Sequence, residues 1–152
     1  MKSATKFRVS ALTLAIVFFS AACSSSEKLV TVSTASVSGA WKGDGGEMII
    51  LQEDHGFRTS GIDWHSISPG NGCPQGDVAG RWSFWGSDPG SPQTASALEK
   101  YTEGDTVNLG FEKDAQGTCL IDLNVVGEGD SLCVTNDMDI SCALDIRFHR
   151  ER

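Results

Sequence analysis

The feature that most constrains this chain is a two-residue hydrophobic period that recurs between closely spaced turns. Val107, Leu109 and Phe111 alternate with polar neighbours, as do Ile121, Leu123 and Val125, and again Leu144, Ile146 and Phe148. Side chains at i, i+2 and i+4 lie on one face of a strand, so each run predicts a strand with one buried face. Further runs fit the same reading: Glu47 to Gln52, Phe57 to Ile62, Val78 to Gly86, Ala97 to Thr102 and Leu132 to Thr135. Between them lie turn clusters such as Asp54-His55-Gly56, Glu103-Gly104-Asp105 and Gly127 to Asp130. Helical periodicity is nowhere sustained, and only Thr94 to Tyr101 offers a short candidate helix.

About eight short strands, with turns every 8–12 residues or so, predict an all-β domain. Alternation on one side only argues against a parallel sheet covered on both faces. Closure removes the unpaired edges that short strands leave, so the expected fold is a small antiparallel barrel of about eight strands, with a β-sandwich as the alternative.

The ends set the compartment. Lys2, Lys6 and Arg8 precede an apolar stretch from Val9 to Phe19, and the small residues Ser20, Ala21 and Ala22 lead to Cys23. This order is that of a secretory signal peptide, and the apolar stretch is short of the roughly 20 residues that span a bilayer. Ser20-Ala21-Ala22-Cys23 resembles the lipobox of bacterial lipoproteins, although Ser20 stands where that family usually has Leu. The resemblance implies a diacylglyceryl group on the Cys23 thiol and cleavage before it. Residues 1–22 are then the signal peptide, residues 23–38 a lipid-anchored Ser/Thr-rich spacer, and residues 39–152 the folded domain, in the cell envelope outside the cytoplasm.

Cysteine number agrees with that arrangement. If Cys23 carries lipid, Cys73, Cys119, Cys133 and Cys142 can form two disulfides, with three pairings allowed. Cys133–Cys142 is the local pair, leaving Cys73–Cys119. Strand parity weighs against it, because Cys133 points away from Leu132 and Val134 while Cys142 shares the parity of Leu144, unless a bulge intervenes. Zinc is disfavoured by the absence of any C-x-x-C pair and by the oxidising compartment.

Gly39-x-Trp41 and Gly80-x-Trp82 repeat a short motif. Gly39-x-Trp41 at the start of a small barrel is similar to the first motif of lipocalins and related calycins. That resemblance implies a Trp on the barrel floor crossed by an Arg from the last strand, here Arg147 or Arg150. A longer likeness, to small lipoproteins common in actinobacteria, rests on Gly39-x-Trp41 with the acidic glycine-rich turn after it, Ile50-Leu51, and Asp54-x-Gly56-x-Arg58. It continues through Leu132-Cys133-Val134-Thr135-x-Asp137-x-Asp139 and Arg147-Phe148-x-Arg150. It implies fold and anchoring rather than an activity.

Whole-chain net charge is −8, and removal of Lys2, Lys6 and Arg8 takes it to about −11. Such a chain repels phosphate backbones, so nucleic acid is not an expected partner. The histidines His55, His65 and His149 lack H-x-H or H-E-x-x-H spacing, and Asn136-Asp137-x-Asp139 lacks the Gly and distal Glu of an EF-hand, so no metal site is expected. There is no G-x-S-x-G, no phosphate-binding glycine loop and no sign of a cofactor. The expected function is therefore non-catalytic: a tethered barrel whose open end holds a small apolar ligand or envelope component, at Asp63-Trp64-His65 and the loops Gly70 to Gly76 and Ser87 to Pro92. The alternative is an inhibitor of a basic secreted hydrolase such as lysozyme.

Overall fold

A computed structural model describes residues 27–90, 94–112, 119, 121–137 and 140–151. The signal peptide, Cys23 and Asp139 lie outside the described residues. Eleven strands run β1 Val32–Ser33, β2 Gly39–Gly43, β3 Met48–Leu51, β4 Gly56–Ser60, β5 Val78–Ser87, β6 Ala95–Leu98, β7 Glu103–Gly104, β8 Thr106–Phe111, β9 Ile121–Val126, β10 Ser131–Thr135 and β11 Arg147–Arg150. Two helical turns, α1 Thr34–Val37 and α2 Trp64–Ile67, complete the set.

Eight of these strands close a barrel in the order β2-β3-β4-β5-β8-β9-β10-β11, with β11 returning to β2. Every pairing is antiparallel. The expected barrel is present, and closure rules out the sandwich. β6 lies alongside the far half of β5, pairing Phe84 with Leu98 and Ser87 with Ala95. The segment read as a candidate helix, Thr94 to Tyr101, thus contains a strand.

The strand registers put Trp41, Ile49, Leu51, Phe57, Trp82, Phe84, Leu109, Ile121, Leu123, Leu132 and Phe148 on the inner face, each at most 1% exposed. Large rings fill the interior. Phe57 meets Phe111 edge-on at 5.4 Å between centroids, and Trp82 meets Phe84 at 5.3 Å. Gly80 marks a close approach: a Cβ there would collide with the Gly110 carbonyl and lie 2.7 Å from the Phe57 ring.

The two ends are plugged differently. At the upper end, where the 52–55 and 127–130 turns lie, α1 closes the floor. Ser33 caps it, Val37 is buried, and the Trp41 Nε1–H donates to the Val37 carbonyl at 2.9 Å. Arg150 lies over the Trp41 ring, 5.4 Å from its centroid, and donates to the Ser36 and Ser38 carbonyls. Gly39 adopts φ 138°, and a Cβ there would come within 3.3 Å of the Arg150 guanidinium. Of the two arginines considered, Arg150 therefore crosses the Trp, and Arg147 does not. Arg147 instead forms a bidentate pair with Glu27 at 2.6 and 2.8 Å.

Residues 27–38 are not a spacer. Val30 N–H donates to the Val125 carbonyl, β1 pairs with β7, and Val30 and Val32 pack on the core. The described domain thus extends back to Glu27, before the expected boundary at Gly39.

The disulfides are Cys73–Cys119 and Cys133–Cys142. The parity objection to the second falls away because Cys142 is not in a strand. The final strand begins at Arg147 rather than Ala143, and Cys142 and Asp145 take left-handed φ values of 60° and 52°, which break the alternation. Folding this segment back covers the outer face of β10, all five residues of which are buried.

Candidate functional site

Asp63, Trp64 and His65, the expected ligand edge, take separate places in the structure. Asp63 caps α2, accepting from the Ser66 hydroxyl at 2.6 Å, and that bond holds its carboxyl below the usual aspartate value. This cap turns Trp64 inward. Its indole is fully buried, donates to the Thr59 hydroxyl at 3.2 Å and leans on Phe111 at 5.5 Å. Trp64 is the plug of the lower end, while His65 points to solvent. Cys73–Cys119 holds the following loop down over this plug, with both cysteines buried. Both ends are thus closed, and the interior is filled by the barrel's own rings.

Open grooves lie on the outside of the described residues. The first, of about 440 Å³, runs over the outer face of β3, β4 and β5, where Met48, Ile50 and Ala79 form an apolar floor beside Arg58, Asp77 and Glu112. Ile50 is 39% exposed.

The second groove, of about 460 Å³, sits at the lower end between the β2–β3 turn, α2 and the approach to β11. Ile62, Ile67, Ile146 and Phe148 form its floor, and Asp44, Glu47, Asp63 and Asp145 its rim. Its one cation, Arg147, is already bound by Glu27. Among the described residues, the Asp44 and Glu47 carboxylates accept no hydrogen bond and form no ion pair, while the Asp145 carboxylate acts electrostatically on Arg147. The Glu47 carboxylate folds back over Gly43 and Gly45, where any Cβ would collide with it. Gly43 and Gly45 thus lie directly beneath a rim carboxylate. The Asp44-Gly45-Gly46-Glu47 turn is plain in the sequence, but its meeting with Asp63 and Asp145 is not, because those residues come from segments about 20 and 100 positions away.

Among the described residues, no group of three or more His, Cys, Asp or Glu side chains is placed to hold a metal ion, and no helix is long and apolar enough to cross a membrane. The chain matches no protein-family model, and neither a characterised protein nor a solved structure matches it significantly.

Proposed function

We propose that this chain is an exported, lipid-anchored binding module without catalytic activity, which takes a cationic segment of an envelope or secreted protein into the acidic groove at the lower end of the barrel. The observation that carries the reading is where space and unneutralised charge remain. The interior is occupied by side chains, while the unpaired Asp44 and Glu47 carboxylates, with Asp63 and Asp145 beside them, rim an exterior groove with an apolar floor. A Lys or Arg side chain could lay its apolar stem along Ile62 and Ile146 and present its charge to Asp44, Glu47 and Asp145. Net negative charge over the whole chain would steer a basic partner towards it.

Export and anchoring are supported by the signal-like N-terminus and by the disulfides, which suit an oxidising compartment. Pairing of the other four cysteines leaves Cys23 as the odd thiol, open to acylation.

The test is retention on immobilised hen lysozyme as a basic probe. Binding is expected at low ionic strength and is expected to disappear near 1 M salt, where charges are screened beyond about 3 Å. The triple variant Asp44→Asn, Glu47→Gln, Asp145→Asn should lose retention. A control of equal charge change at the upper end, Glu53→Gln, Glu103→Gln, Glu128→Gln, should keep it. Equal retention of the two variants would show that net charge, not the groove, does the binding.

A second reading follows from the exposed Ile50 beside Arg58. The β3–β5 groove could take an amphiphile with an acidic head, and such a molecule would co-purify with the protein.

A further inference from the structure

We infer that the anchored barrel stands directly on the membrane, with the face around Glu27, Ile140 and Arg147 against the lipid headgroups. The inference rests on the lipid anchor proposed for Cys23 and goes beyond it, because an anchor alone fixes neither distance nor orientation.

Distance comes from where the described chain begins. Glu27 is fixed at two points, its side chain pairing with both Arg147 Nη atoms and its carbonyl accepting from the Ser141 hydroxyl at 2.9 Å, and three residues on Val30 N–H donates to the Val125 carbonyl. Only Ser24, Ser25 and Ser26 separate it from Cys23. However those serines are arranged, four residue steps reach at most about 14 Å. That is less than the width of a small barrel, so the domain has no room to swing clear of the surface.

Orientation comes from the point of attachment. Glu27 sits outside β10 and β11, beside the loop that carries Ile140. Ile140 is 51% exposed, the most exposed large apolar side chain among the described residues, and Lys28 next to Glu27 is also exposed. An apolar side chain and a lysine with a flexible stem suit the headgroup region. Asp145 on the same side gives no attraction to anionic lipid, so the contact depends on the anchor. In the barrel order, β10 and β11 lie across from β4 and β5. The Ile50 groove therefore faces water. The acidic groove, which includes Arg147, opens near the membrane, so the cationic segment it takes belongs to a partner at that surface.

The experiment uses full-length lipidated protein in phosphatidylcholine nanodiscs that carry a gadolinium-chelating lipid, with paramagnetic broadening read at backbone amides. Broadening is expected to be several-fold stronger at residues 27–28 and 140–147 than at Ile50, Arg58 and Ala79. Insertion of twelve Gly/Ser residues after Ser26 should weaken it and even it out. Equal broadening of both faces in the native chain overturns the orientation while leaving the anchor intact. Failure of the protein to co-elute with nanodiscs, with no acyl mass on Cys23, removes the anchor and the orientation with it.

Discussion

Single residues decide how this barrel is closed. The two G-x-W copies look equivalent in sequence, yet their glycines serve different needs. Gly39 is required by a left-handed backbone and by the crossing of Arg150, whereas Gly80 is required by contact with Gly110 and Phe57 across the wall. Arg150→Ala removes a cation–π contact and two hydrogen bonds, and should lower the unfolding free energy in urea by about 2–3 kcal/mol. Arg150→Lys should recover only part, because an ammonium cannot spread over the ring and reach both carbonyls. Wild-type stability of Arg150→Ala would contradict the closure described. Gly80→Ala should cost about 1–3 kcal/mol by overpacking, against almost nothing for Gly90→Ala, where a Cβ meets no atom.

At the scale of elements, the N-terminal segment is held by Glu27–Arg147, and this pair titrates. The Arg147 guanidinium holds the Glu27 carboxyl below the ordinary glutamate value. Because the folded-state value is the lower one, the contribution is complete above the unfolded value of about 4.3 and is lost as pH falls through the folded value. The pair is partly exposed, so it is worth about 0–1 kcal/mol. Wild type should lose stability to Glu27→Gln only below about pH 4.3, and coincident pH–stability curves would remove the pair from the account. The disulfides also act on elements. Chain-entropy reasoning gives about 4 kcal/mol for Cys73–Cys119, which closes a separation of 46, and about 3 kcal/mol for Cys133–Cys142, which closes 9. Paired Cys→Ser variants should unfold in that order in urea. The barrel strands were legible because alternation on one face is a direct record of burial, as at Val107, Leu109 and Phe111. Elements of two to four residues, such as β1, β7, α1 and α2, carry too few side chains to show a period. The inward turn of Trp64 is not legible in the sequence, because it follows from the Asp63 cap on α2. The groove was not legible, since Asp44, Asp63 and Asp145 meet only in the folded state.

For the whole molecule, the proposed surface recognition rests on a filled interior and an acidic exterior, and the proposed link to the envelope rests on Cys23. Native mass spectrometry of the protein purified from membranes tests these parts together. The account predicts a chain starting at Cys23 with acyl mass on that residue, two intact disulfides and no small molecule retained inside the barrel. A chain with a free thiol at Cys23 and no acyl mass would contradict it.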